Sequence, residues 1–169
     1  MRYRKPIFGA LFFACFCMRA LAQTSAPQYT VNEEPPTGSA IRRTITSPAQ
    51  VPINKRYDEL TLEEKQSLNQ NYESMGPGDE PPFPAYGLKP IYTAVGRVQQ
   101  KLLVKGDLLL FATVDQEGNV TQIRAVGDPD PEMTRVVASI LTLTKFKPAL
   151  CKGVPCKMDY PFRFRFNVE

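Results

Sequence analysis

The chain has 169 residues, of which 43% are apolar and 22% charged, with a formal net charge of +4, four Cys and no His. That length suits one domain with extensions. The lack of His excludes Ser-His-Asp and Cys-His catalysis, imidazole acid–base chemistry and any zinc site that needs a His ligand.

Residues 1–22 read as a secretory signal peptide. Arg2, Arg4 and Lys5 form a positive start, Ile7 to Met18 an apolar run of 12 residues, and Ala20-Leu21-Ala22 a small-x-small cleavage site before Gln23. The run is shorter than the roughly 20 residues that span a bilayer, and Arg19 interrupts it. Phe12 and Phe13 are too bulky for the small-residue pattern that precedes a lipidated Cys. The alternative is a retained segment that anchors the protein in the inner membrane, the one case in which membrane contact is expected. Four of the 21 Lys and Arg lie in this segment and none of the 17 Asp and Glu, so the remainder carries 17 of each sign. A neutral remainder gives no electrostatic case for nucleic acid or an anionic membrane surface.

Residues 23–87 read as a flexible tether containing proline. Ser, Thr, Pro, Gln and Asn dominate residues 23–60, with too little apolar surface to offset ordering entropy. One short helix is expected over residues 61–75. Thr61 and Glu64 fit a capping box, and Leu62, Leu68 and Tyr72 form a thin stripe that either docks on the following domain or frays. The prolines from Pro77 to Pro84 favour an extended connector, although Phe83 and Tyr86 are able to pack beyond it.

Residues 88–169 read as a globular α+β domain. A short helix is expected from Tyr92 to Leu103, with Val95, Val98 and Leu102 on one face. Asp107 to Asp115 form a strand that is apolar on both sides, which marks a central strand. Asp115-Gln-Glu-Gly118-Asn119 is a hairpin turn, and the returning strand Val120 to Val126, being more polar, is expected at an edge. Asp130 caps the next helix, Pro131 suits its first position, and Met133, Val136, Val137, Ile140 and Leu141 follow at helical spacing. The last strand is Met158-Asp-Tyr-Pro-Phe-Arg-Phe-Arg-Phe166, with aromatic and polar residues alternating. An antiparallel arrangement requires this last strand to pair with the first. The expected fold is thus a small three-stranded antiparallel sheet in the order second, first, last, with helices packed on one face. Pro161 cannot donate to a ladder, which places its strand at an edge.

Cys151 and Cys156 flank Lys-Gly-Val-Pro, a sequence suited to a tight turn. In an exported chain a structural disulfide is the expected state. Their spacing does not match the two-residue redox motif, and neither a metal nor a cofactor is expected. The acidic pairs Asp128 with Asp130 and Asp115 with Glu117 lie at a helix start and a turn, where capping accounts for them. The expectation is a binding module rather than an enzyme.

In order and spacing this region resembles the C-terminal domain of the TonB family of periplasmic energy transducers. The resemblance covers residues 88–168. Gly106 to Asp115 resembles the family's first strand after a Gly, and Gln116-Glu-Gly118-Asn-Val120 its acidic turn. Phe146-Lys-Pro148-Ala149 resembles the aromatic-x-Pro-small motif after the helix, and Lys152-Gly153-Val154-Pro155 the turn before the final strand. The resemblance implies a periplasmic domain that docks on an outer-membrane TonB-dependent receptor or another periplasmic protein by adding an extended segment to its sheet edge. A family Gln six residues before the Gly contacts the receptor segment, which implies that role for Gln100.

The departures narrow this reading. Val95-Gly96 stands where the family has Tyr-Pro, the Trp expected shortly before Phe146 is missing, and there is no His to couple to a proton-driven motor. The expected protein is a stand-alone exported module in support of TonB-type transport. Its expected partner contacts are Gln100, Met158, Tyr160, Phe162, Arg163, Phe164, Arg165 and Phe166. Arg163 and Arg165 either guide an acidic partner or protect the edge from aggregation. The alternative is a structural cell-envelope protein that self-associates, as a homodimer, through the same edge.

Overall fold

The computed structural model describes residues 28–32, 41, 51–127 and 129–168. The expected signal peptide lies outside the described residues, as do parts of the expected tether. The elements in chain order are β1 (Gln28–Asn32), a 3-10 turn (Tyr57–Glu59), α1 (Leu62–Asn69), β2 (Phe83–Pro84), α2 (Lys89–Leu102), β3 (Gly106–Val114), β4 (Val120–Val126), α3 (Pro131–Leu143), β5 (Phe146–Lys147), β6 (Ala149–Cys151), β7 (Val154–Cys156) and β8 (Met158–Phe166).

The fold is α+β, with the main sheet ordered β1-β4-β3-β8 and two small ribbons, β2-β5 and β6-β7. The three antiparallel strands β4, β3 and β8 stand in the expected order, but the sheet has a fourth strand. β1 comes from the stretch expected to be tether and pairs in parallel with β4, Gln28 opposite Gln122 through Asn32 opposite Val126. The expectation that Val120–Val126 lies at an edge is therefore corrected. Its polar alternation reflects one buried face, not a missing neighbour.

Local chemistry accounts for the elements. The Asp130 side chain accepts from Met133 N–H at 2.8 Å, so α3 starts where its cap stands. The Thr61–Glu64 capping box forms, with Thr61 N–H donating to Glu64 at 2.7 Å and Glu64 N–H donating back to Thr61 at 3.3 Å. α1 then ends at Asn69, short of the expected residue 75. Gly118 takes φ +79° in the β3–β4 turn, and a Cβ there would lie 2.0 Å from the Phe146 carbonyl oxygen, so no larger residue fits.

α2 and α3 pack together on one face of the sheet. Between them and the strands lie Ile91, Val95, Met133, Val137, Leu141, Leu108, Leu110, Ile123 and the aromatic row of β8. The expected flexible tether is also corrected over residues 51–87. Tyr57, Leu60, Leu68 and Phe83 belong to this same core. Leu62, expected on the docking stripe, is 73% exposed instead. Tyr72 and Ile41 pair with each other and close over Phe111 on the opposite face of the sheet, with Met75, Leu109, Val126 and Met158 around them. Phe111 is buried because earlier parts of the chain cover this second face.

Candidate strand-docking edge

β8 is the terminal strand of the sheet, with β3 as its only strand neighbour among the described residues. Its pairing runs without a register shift from Gly106 opposite Phe166 to Val114 opposite Met158. In an antiparallel ladder alternate residues direct both main-chain groups to the same side. Pro161 has no N–H to donate, so an unbroken ladder is best served with Pro161 and the other odd-numbered residues directed away from β3. Tyr72 hydroxyl donates to the Asp159 carbonyl at 3.0 Å, which agrees with this phase and occupies the start of the outer edge.

The side chains of β8 divide by period two. Tyr160, Phe162, Phe164 and Phe166 are all buried against the helices and residues 57–92. Phe162 stacks on Phe164 and Phe164 on Phe166, at 6.0 and 6.2 Å between centroids. Phe83 meets Tyr160 edge-on at 6.0 Å, and Tyr92 meets Phe164 at 5.5 Å. These four were expected as partner contacts. Their side chains face the core instead. Met158 is partly buried in the cluster around Phe111.

On the other face a polar network secures the strand. Asp159 accepts from Thr113 hydroxyl at 2.6 Å and pairs with Arg124, whose guanidinium also donates to Thr113 at 3.3 Å and to Gln122 at 3.2 Å. The Arg124 and Asp159 side chains are only 15% and 12% exposed, which makes this the least exposed ion pair among those described. Further along, Arg163 and Arg165 both pair with Asp107, at 3.3 and 3.2 Å. Hydrogen bonds, foremost from Arg165 and also from Arg163, hold the Asp107 carboxyl below the usual carboxylate range. Two guanidinium groups share one carboxylate here, and exposed Lys105 adjoins them along the cleft lined by Gly106, Asp107, Arg165, Phe166 and Asn167. Among the described side chains at this end, three cations surround one carboxylate.

Gln100 stands exposed on α2. Its neighbour Gln99 is the residue that reaches the end of β8. Gln99 Nε2 donates to the Val104 carbonyl at 2.8 Å and to the Asn167 carbonyl at 3.4 Å, while its Oε1 accepts from Val104 N–H at 3.2 Å. These bonds close the end of α2 around Leu103, which adopts left-handed φ 51°. Sequence reading missed Gln99 because only the helix ending fixes which Gln turns towards the strand.

The entry to β8 is stapled. Cys151 and Cys156 form a disulfide across the β6–β7 hairpin, with Cα atoms 5.8 Å apart. Asp79 accepts from Lys152 N–H and from Gly76 N–H, both at 2.7 Å, and Glu80 exchanges two main-chain bonds of 2.8 Å with Leu150. The bonds from Lys152 first, then from Gly76, keep the Asp79 carboxyl below its ordinary range. The hairpin and residues 76–80 thus set where β8 begins.

Among the described residues no group of His, Cys, Asp and Glu could hold a metal ion, and no helix is long and apolar enough to cross a membrane. Comparison with protein-family models, with curated proteins and with solved structures finds no match.

Proposed function

We propose that this chain is an exported, TonB-like binding module that captures an extended segment of an outer-membrane receptor or other periplasmic protein along the outer edge of β8, in support of TonB-type transport. The observation that carries the reading is the division of labour within β8. Among the described residues it is the last strand of its sheet, and its aromatic row is buried. A strand so anchored keeps its shape before a partner arrives, which lowers the ordering cost of β-augmentation.

Tyr72 and Pro161 limit the N-terminal half of the edge, so a visiting strand pairs best at its C-terminal end, beside the main chain of Arg165. The excess of cations among the described side chains at that end (Lys105, Arg163 and Arg165 around Asp107) favours a segment that carries an acidic residue or its own carboxylate there. Each added ladder bond nets about 0.5–1.5 kcal/mol. A handful of such bonds, less ordering costs, gives dissociation constants of about millimolar to micromolar.

The test is titration of synthetic peptides, taken from the periplasm-facing N-terminal segments of outer-membrane receptors, into the intact protein and its Arg165→Pro variant. Proline at position 165 removes an edge-directed N–H while leaving the aromatic row in place. Binding by wild type and a loss of about tenfold in the variant, close to one ladder bond, is the expected result, with thermal melting to show that the variant folds. Equal affinities would place the peptide elsewhere. Sedimentation showing a stable dimer that Arg165→Pro dissociates would favour the self-associating reading instead.

A further inference from the structure

A near-neutral total hides an uneven distribution of charge. Residues 81–106 carry Lys89, Arg97, Lys101 and Lys105 and no Asp or Glu, whereas residues 57–80 carry seven Asp and Glu and one Lys. α2 runs through the cationic part. It buries Ile91 and Val95 and leaves Lys89, Thr93, Arg97 and Lys101 exposed, at four-residue spacing along its outer side. From Lys89 to Lys101 this row extends about 18 Å. None of the four cations enters an ion pair with a described residue. Two residues run against what a helix end prefers. Lys89 sits at the positive end of α2, where an acid would stabilise it, and the first turn has no acid. Leu103 follows the last turn at φ 51° and ψ 42°, a left-handed position suited to Gly, and it is 60% exposed and outside both apolar clusters. Folding favours neither residue, and such exceptions gather where function requires them.

We infer that the outer side of α2, ending at Leu103, docks on an anionic phospholipid surface. The cations lie against lipid phosphates. Leu103, between Lys101 and Lys105, enters the boundary of the acyl chains, while the two lysine stems reach back to the headgroups. Charge complementarity selects the bilayer over an acidic peptide. A peptide anion is met by cations that converge on a cleft, but the two clefts near the ends of α2 are lined by none of Lys89, Arg97 and Lys101. These three are strung along a convex helix instead. A continuous, nearly flat array of phosphates meets them all at once. Each cation brought to such a surface strengthens binding about fivefold. The contact uses α2 and its terminal turn rather than the main chain of β8, so it goes beyond peptide capture and does not depend on it.

The test is co-sedimentation of the full chain with vesicles of phosphatidylcholine alone or with one-third phosphatidylglycerol. Residues 1–22 are common to every chain compared, so their own contribution cancels in each ratio. Wild type should partition at least about tenfold more strongly onto the anionic vesicles and lose the difference in high salt. Arg97→Gln with Lys101→Gln keeps helix propensity, and it should weaken that partition about 20–30-fold, with thermal melting to show that the variant folds. Lys152→Gln with Lys157→Gln removes the same charge from exposed positions outside α2 and should act far less. Equal losses in the two double variants would refute the assigned surface. Leu103→Gly separates docking from folding. It suits the left-handed backbone, so stability should hold or rise, while partition onto the anionic vesicles should fall severalfold. Unchanged partition of Leu103→Gly would remove the apolar contact and overturn the docking as stated. Equal partition of wild type onto both kinds of vesicle, or none onto either, would also overturn it, and polyglutamate binding in the latter case would assign the row to an acidic protein.

Discussion

The two outer strands of this sheet are held by different means. β8 places Tyr160, Phe162, Phe164 and Phe166 in the core, and its opposite face is tied down by Asp159 and Arg124. Burial of an aromatic or large aliphatic side chain contributes about 1.5–3 kcal/mol, so the row alone fixes the strand. β1 has its ladder to β4 and exposed side chains at Thr30 and Val31. Ladder bonds net about 0.5–1.5 kcal/mol each, while ordering the backbone costs about 1–2 kcal/mol per residue. Ladder bonds by themselves leave a five-residue strand near balance. An edge proposed to receive a partner needs side-chain anchorage that holds its shape before the partner comes.

The sharpest way to break this comparison is to empty the anchor. Phe162 is 1% exposed and touches Tyr160, Phe164 and Phe146. Phe162→Ala should cost about 3–5 kcal/mol, read as a lower urea midpoint with an unchanged slope. A cost below about 1 kcal/mol would mean that β8 is not held by its aromatic row. Next comes Asp159→Asn, which leaves Arg124 charged without its carboxylate. Removing one partner of a fully buried pair costs about 3–5 kcal/mol; with the partial exposure here, about 2–3 kcal/mol is expected. Thr113→Val, which keeps the ion pair, should cost less in the same assay.

The disulfide should contribute somewhat less than either. A loop as short as Cys151–Cys156 gives about 2 kcal/mol in the chain-entropy account. Cys151→Ser with Cys156→Ser should therefore lower stability by about that amount and speed amide exchange at Lys152 and Gly153, which bond to residues 78–79. Acid should act on the same staple. A carboxyl whose folded value is lowered contributes stability above its unfolded value, near 4, and loses it as pH falls through the folded one. Exchange protection of Lys152 N–H, corrected for intrinsic rates, should thus decline below about pH 4 in wild type. In Asp79→Ala, which removes the acceptor, it should be low and nearly independent of pH.

The sequence announces the antiparallel part of this fold because period-two burial and caps are local signals. Val120–Val126 and Met158–Phe166 end where their alternation ends, and Asp130-Pro131 starts α3. β1 carries no such signal. A five-residue parallel strand has no hairpin to mark it, and a ladder of main-chain bonds places few demands on side chains. Tyr57, Leu60, Leu68, Tyr72 and Phe83 escape notice for a related reason: residues that dock as irregular chain follow the surface they cover, not a period. One clue was present. Phe111 and Leu109 make β3 apolar on both faces, and a helix layer on one face cannot account for the other. Something had to cover Phe111, and Ile41, Tyr72 and Met75 do. In the candidate site, the inward row of β8 was equally readable: strict alternation assigns Tyr160 to Phe166 to one face, and the apolar face of a half-buried strand is the core face.

The smallest expected effect sharpens the comparison most. Val31→Ala at an exposed position with no core contact should change stability by no more than about 0.5 kcal/mol, against several for Phe162→Ala. Amide exchange should show the same contrast without mutation. Local opening of a marginal element requires far less free energy than global unfolding. The amides of Gln28–Asn32 should therefore exchange many times faster than those of β8 that bond to β3, and at a rate insensitive to mild denaturant. If β1 amides instead exchanged only with global unfolding, the strand would be an integral part of the core structure. The asymmetry between the two edges would then vanish.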